Sequence, residues 1–322
     1  MNLPGTARQG KCAVLHCQNN LEMYNMLPFA PCIVPAQGAN CLTCFARTHL
    51  QSFRTEFSDR IPTMDILTST ANPFVKQVRA LHQKKTRAES GAFLVEGIHH
   101  VGEALEAGWD VDAIVYAPDL LTSAFAKDLL ARAARLDLRL QPVSPAVMES
   151  LADKENPQGI LAVVKQKRFS FGDLKSAART VALVSPQDPG NVGTILRTMD
   201  AVNADALFLL DGGVELFHPT VVRASMGTLF WKPVVQTSFD DFISWARKGG
   251  WQLIGTSAKA DVDYHTLVPQ TPWVLILGSE QKGLSAHQTA ACDVTISLPM
   301  RGRVSSLNLS VAAGVLLYQF AR

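Results

Sequence analysis

Long apolar runs are missing from this chain: no stretch approaches the roughly 18 consecutive apolar residues that would suggest a membrane span, so the protein is expected to be free of the bilayer. No two glycines stand two positions apart, which removes the G-x-G-x-x-G dinucleotide fingerprint. A G-x-S-x-G nucleophile elbow and an H-E-x-x-H zinc pair are absent as well, so the common alternatives for an α/β enzyme lose their usual signatures. Charge of one sign does not dominate: 30 Lys and Arg face 28 Asp and Glu, for a net charge of +2. Any nucleic-acid site must therefore come from local clustering of basic residues rather than from bulk charge. With 47% apolar and 18% charged residues over 322 positions, the composition is that of a globular protein long enough for two domains.

Acidic residues are scarce over residues 1–63, where only Glu22, Glu56 and Asp59 occur, and the same segment holds Cys12, Cys17, Cys32, Cys41 and Cys44, five of the six cysteines. It shows no sustained helical or strand period. The spacings C-x4-C and C-x2-C, with His16 and His49 nearby, match no familiar zinc pattern, so no metal is expected. Poor acidity with scattered arginines is a trait of organellar transit peptides, but the amphipathic Arg-rich helix of such a peptide is missing. Residues 1–63 read as a disordered extension, or as translated sequence upstream of a start at Met64.

What is present becomes regular from there. After Asn72-Pro73, the apolar residues Val75, Val78 and Leu81 recur at near-helical spacing and predict one helix leading into a strand at Ala92–Val95. Its other face is basic, with Lys76, Arg79, Lys84, Lys85 and Arg87 within twelve positions; such a run is either a solvated face or a phosphate-contact surface. Helix and strand patterns then alternate to about residue 166, as expected of a small α/β domain. The polar, basic stretch 167–178 reads as a linker. From residue 179 to 322 the runs VALVS, ALFLL, WQLIGTS, WVLILGS and VTISLPM are short, apolar and β-rich, which predicts a buried parallel sheet.

On such sheets ligands bind at the carboxyl ends of strands, and three polar loops follow these runs. The first is Asp188-Pro189-Gly190-Asn191, a turn that opens a helix, with Asn191 placed to serve near the helix N-terminus. On that helix Ile195, Met199 and Val202 share an apolar face while Arg197 points away from it. The second loop is Gly278-Ser279-Glu280-Gln281-Lys282-Gly283. The third runs from Pro299 through Arg301 and Arg303 to Ser305, Ser306 and Asn308, with Ser305 or Ser306 as the expected N-cap of a last apolar helix.

Together, DPGNVGTILRT, LGSEQKGLS and LPMRGRVSSLNLSVAAGVLLYQ resemble, in order and position, the three motifs of the SpoU, or TrmH-like, RNA ribose methyltransferases of the SPOUT superfamily. NPFVKQVRAL through FLVEG, with NPQGILAVV, is similar to the family's small substrate-binding domain, whose fold is like that of ribosomal protein L30e. The resemblance runs from about Asp65 to Arg322. It implies an α/β chain with an L30e-like domain at 64–166 and a methyltransferase domain at 179–322 whose end threads a deep trefoil knot. It also implies a homodimer and a cytoplasmic location. S-adenosyl-methionine would contact Thr256, Gly278, Glu280, Leu298, Pro299, Met300, Ser306, Leu307 and Asn308.

Arg197 corresponds to the family's catalytic arginine, joined by Asn191, Glu280, Ser306 and Asn308. Methyl transfer to a ribose 2′-hydroxyl needs an aligned oxygen that loses its proton as the bond forms. Arg197 would either act as the base or, more easily for a group that keeps its proton at neutral pH, bind the adjacent phosphate and orient the hydroxyl. Lys76, Arg79, Lys84, Lys85 and Arg87 would meet the RNA, ribosomal RNA being favoured over transfer RNA. Two other readings stand beside this one: a non-catalytic RNA-binding or ribosome-assembly factor, and a base methyltransferase of the same superfamily.

Overall fold

The computed structural model describes residues 65–153 and 158–321. The cysteine-rich segment, its histidines and the start at Met64 lie outside the described residues. Helix α1 (Pro73–Ala80) begins where the sequence places it: Asn72 Oδ1 accepts from Phe74 N at 2.9 Å, and Pro73 takes the first helical position, where no N–H is needed. The expected single helix is two. Its second part, α2 (Lys84–Ser90), starts afresh after a turn, because Arg87 swings inward and its Nη1 donates to Leu81 O and His82 O at 2.8 Å each. Those carbonyls are the acceptors a continuous helix would have used.

There follow β1 (Ala92–Glu96), α3 (Ile98–Glu106), β2 (Val111–Tyr116), α4 (Ala124–Arg135), β3 (Arg139–Pro142), α5 (Pro145–Leu151) and β4 (Ile160–Lys165). Helix α5 has no counterpart in the sequence reading; Ser144 caps it and Pro145 opens it. The strands form a mixed sheet in the order β1-β4-β2-β3, with β4 antiparallel to both neighbours. Alternate residues of β1 serve two cores. Phe93 and Val95 face α3 and α4, while Ala92 and Leu94 pack on the side of α1 and α5.

The second sheet is built from β5 (Arg179–Val184), α6 (Pro189–Ala201), β6 (Ala206–Leu210), α7 (Pro219–Ala224), β7 (Val234–Thr237), α8 (Phe239–Lys248), β8 (Gln252–Thr256), β9 (Val262–Asp263), β10 (Trp273–Leu277), α9 (Ala286–Ala290), β11 (Val294–Ser297) and α10 (Leu309–Phe320). Its strands run in the order β7-β6-β5-β10-β8-β11-β9, and every pairing is parallel. Burial on both faces explains why β6 and β10 are apolar throughout. Residues of α6, α7 and α10 cover one face, and α8 the other. The strand order reverses between β6 and β10 on either side of β5, so the carboxyl ends there open a crevice.

Residues 167–178, expected as a linker, pack against the second sheet. Phe169 bridges to Val235, Phe171 stacks on Trp245 with ring centroids 5.1 Å apart, and Leu174 is buried. Among the described residues, no helix is long and apolar enough to cross a membrane.

Candidate active site

A cleft of about 720 Å³ opens at the carboxyl ends of β8, β10 and β11, within the range of small-molecule sites. Its apolar floor includes Leu277, Ile296 and Leu316, and its rim carries the polar groups. Of the residues expected to contact cofactor, Thr256, Gly278, Leu298, Met300, Ser306, Leu307 and Asn308 all line it, together with Glu280. Pro299 does not; it is exposed on the same loop.

The loop after β10 is held shut on itself. Gly283, at φ +64°, sends its N–H to Ser279 O at 2.9 Å, and the turn folds back so closely that a Cβ on Gly278 would lie 2.1 Å from the Gly283 carbonyl carbon. Only glycine fits at Gly278. Thr256 Oγ1 donates to Ile276 O at 3.1 Å, which ties the end of β8 to β10 on the cleft wall.

Glu280 joins two of the three loops. Its carboxylate accepts from Gln187 N at 3.0 Å, Asp188 N at 3.3 Å and Asn191 Nδ2 at 3.2 Å. Partial burial pushes this carboxyl up, but its own backbone N–H, Asn191, Gln187 and Asp188 together outweigh that cost and hold it below its ordinary value. Asn191 is only 5% exposed and is spent on this bond. It is not the helix cap: Asp188 Oδ1 accepts from Gly190 N at 2.7 Å and caps α6. The Asn191–Glu280 pair therefore ties the start of α6 to a residue on the cleft rim.

Arg197 is exposed on α6, opposite the buried Ile195, Leu196 and Met199, and has no hydrogen-bond or ion-pair partner among the described residues. It does not line the cleft. The third loop, residues 301–308, is exposed along its length. Its helix cap is Asn308 rather than Ser305 or Ser306, because Asn308 Oδ1 accepts from Ser310 N at 2.9 Å and Val311 N at 3.3 Å. That leaves the Asn308 amide donor and the Ser306 hydroxyl at the cleft.

The basic run divides. Lys76, Lys84 and Lys85 are exposed, Lys85 beside Glu89 at 3.9 Å. Arg79 is half-buried and clamps α1 to α5 by donating to Ser150 O at 3.0 Å and Ser150 Oγ at 2.7 Å. Arg87 is no surface contact: it is 2% exposed and bonded to Glu215, so its expected place in an RNA surface is corrected. Sequence reasoning missed three further cations. Arg139 lies 4.0 Å above the Phe74 ring, and Lys259 and Lys282 line the cleft. The signal for the last two was available in their position after strand ends. Among the described residues no group of three His, Cys, Asp or Glu side chains could hold a metal.

The same architecture recurs in known proteins. Residues 178–318 match the SpoU rRNA methylase family, and residues 72–162 match the MRM3-like substrate-binding domain. A 23S rRNA guanosine 2′-O-methyltransferase of Bacillus subtilis is 30% identical over 79% of this chain and 98% of its own length. A 23S rRNA uridine 2′-O-methyltransferase of Streptomyces viridochromogenes is likewise 30% identical, over 82% and 94%. Among solved structures, an rRNA methyltransferase of Sinorhizobium meliloti with bound S-adenosyl-methionine superposes with a TM-score of 0.72 at 34% identity, over 79% of this chain and 96% of that one.

Proposed function

The chain belongs to the SpoU rRNA methylase family, and we infer that it is an S-adenosyl-methionine-dependent enzyme that methylates a ribose 2′-hydroxyl of structured RNA, ribosomal RNA in preference to transfer RNA. The observation that carries this reading is the meeting of all three motif loops at one strand-end crevice, where the Glu280 carboxylate ties the first to the second and Ser306 and Asn308 bring in the third. The 2′-O relatives favour ribose chemistry over base methylation and over a non-catalytic binding role.

The cleft fits the cofactor: it combines an apolar floor for a nucleoside with backbone and hydroxyl groups at Gly278, Thr256 and Ser306. Bound there, S-adenosyl-methionine supplies an electrophilic methyl group. The protein's part is placement. Arg197, unpaired on the outer face of α6, offers a planar fork to the phosphate beside the target ribose and orients its hydroxyl, while phosphate or water takes the proton. Asn308 offers its amide to the same substrate while its oxygen holds the helix end. Lys76, Lys84 and Lys85, with Arg139 stacked on Phe74, extend the phosphate contact over the first domain.

The finer assembly belongs to the same proposal: domains at 64–166 and 179–322, a trefoil knot in the second, cytoplasmic action on ribosomal RNA, and a homodimer. The dimer is supported by α10, whose exposed Val311, Val315 and Tyr318 recur at helical spacing beside a groove of about 630 Å³ lined by Asn203 and Tyr264.

The test is transfer of tritiated methyl from S-adenosyl-methionine to ribosomal and transfer RNA lacking the modification, with nuclease mapping of the product. Arg197→Ala should lower kcat by roughly 10²–10³ while cofactor binding holds, with little rescue by Arg197→Lys. Full activity in Arg197→Ala would remove that residue from the mechanism, and label in a base rather than a ribose would overturn the 2′-O assignment.

A further inference from the structure

The two sheets share an interior. Phe93 of the first domain packs on Phe217 of the second with ring centroids 4.6 Å apart, and Trp109 meets Phe230 edge-on at 5.2 Å while its Nε1 donates to Phe230 O at 2.9 Å. Toward the rim, Trp231 Nε1 donates to Glu103 Oε2 at 2.7 Å, and Arg223 pairs with Asp153 at 3.0 Å. Gly227, at φ +92°, brings its backbone flush against Glu103, whose Cγ would lie 2.5 Å from any added Cβ. Where His82, Glu96 and Leu161 face Pro219, Val222 and Arg223, a void of only about 30 Å³ remains, room for a water or two rather than a hinge cleft.

At this boundary Arg87 of α2 reaches Glu215, in the segment between β6 and α7. Its Nε donates to Glu215 Oε1 at 2.7 Å and its Nη2 to Oε2 at 2.6 Å, while Nη1 holds Leu81 O and His82 O. Every nitrogen of a guanidinium 2% exposed is thus engaged, one within its own domain and two with the other. A buried ion pair is a poor source of net stability compared with apolar side chains of the same volume. What a planar fork on a carboxylate adds to the single-point contacts of Trp109, Trp231 and Arg223 across this boundary is a two-point geometry that fixes orientation as well as distance.

We propose that the Arg87–Glu215 pair is a register lock: it holds the RNA-binding domain at one fixed distance and orientation from the methyl-transfer cleft, so that the ribose presented there is selected by rigid geometry. Arg87 and Glu215 are positioning residues; neither touches substrate. The selection of the target ribose rests on the methyltransferase reading above, whereas the fixed placement of the domains does not.

The experiment compares the full chain with a double variant, Arg87→Met with Glu215→Met, which keeps apolar volume without charge, and with Arg87→Lys, which keeps charge without the fork. Cofactor affinity and thermal unfolding report whether the fold survives. Methylation is mapped at nucleotide resolution on ribosomal RNA. The lock predicts unchanged cofactor affinity, a roughly tenfold or greater fall in kcat with a smaller change in KM for RNA, and label spread onto neighbouring riboses in both variants. Wild-type kcat with label on the same single ribose in a folded double variant would overturn it.

Spin labels on genetically encoded residues at the exposed positions Lys85 and Lys248 give a readout independent of activity. A distance distribution that broadens in Arg87→Lys supports the lock, and one that stays as narrow as in the parent chain overturns it. Should the parent chain transfer no methyl to any RNA, the proposed function fails, and this distance measurement still decides the lock.

Discussion

Glu280 shows how one carboxylate can be structural and electrostatic at once. Two backbone N–H groups and one amide converge on it from the first motif loop, which depends on it for position. Because its carboxyl is held below the ordinary value, the protonated form is the one the fold disfavours. The stabilisation is therefore complete above the ordinary carboxyl pKa and is lost as pH falls through the lower folded value. Acid inactivation of the parent enzyme should accordingly set in below the usual carboxylate range, as a pH profile of kcat/KM would show. Glu280→Gln sets an amide N–H against donors and should lower kcat/KM by roughly 10- to 100-fold at pH 7, in line with about 1.5–3 kcal/mol for a charge-assisted hydrogen bond; a wild-type profile in that variant would deny the tether its role. At this scale Glu280 and Asn191 were legible from the sequence as polar residues after strands, but their bond to each other was not. A contact between residues 89 positions apart is a product of the sheet order. Arg87 was misread for a similar reason: a charge run along a helix looks uniform until one member finds a carboxylate inside.

Among elements, α10 carries the sharpest division of labour. Asn308 uses its oxygen to satisfy the N–H groups of Ser310 and Val311 and keeps its amide at the cleft. Aspartate caps a helix as well as asparagine does, whereas alanine does not. Asn308→Asp should hold the melting temperature of the parent chain yet lose most of its methyl transfer. Asn308→Ala should lose activity and also about 1 kcal/mol, which corresponds to roughly 2–4 °C. If Asn308→Asp remains fully active, the amide has no catalytic part. The parallel sheet and nine of the eleven strands were legible because apolar runs bounded by Gly, Pro and Asn leave little alternative, while the short β7 and β9 at the two edges of the second sheet had no counterpart in the sequence reading. That the single helix expected between Asn72-Pro73 and the strand at Ala92 is two was not legible, since its break comes from the inward turn of Arg87 rather than from a helix-breaking residue. The cap at Asn308 was misplaced two or three residues early, a choice among neighbouring side chains that can all cap.

For the whole molecule, the exposed face of α10 is the feature with the largest consequence. Tyr318 is 60% exposed, Val311 51% and Val315 37%, an apolar stripe that a monomer would leave in water. Val315→Glu with Tyr318→Glu should halve the mass seen by sedimentation equilibrium while leaving the fold intact by circular dichroism. A parent chain that sediments as a monomer would refute the dimer. The sequence marked two domains by the basic stretch between them, but it could not show that they share an interior. Phe93 and Phe217 carry no mark of being neighbours.

The sheet order also governs when this protein can take shape. Strands β7, β6 and β5 come from residues before 238, but the other neighbour of β5 is β10, which begins at Trp273, and β8 can join only through β10. A chain emerging from the ribosome must therefore carry β5, apolar from Val181 to Val184, with one edge open until residues 273–277 have been made. Pairings so distant in sequence close slowly. Assembly of the catalytic domain is thus bound to be a late event in synthesis, with the bare edge of β5 as the surface a chaperone would guard.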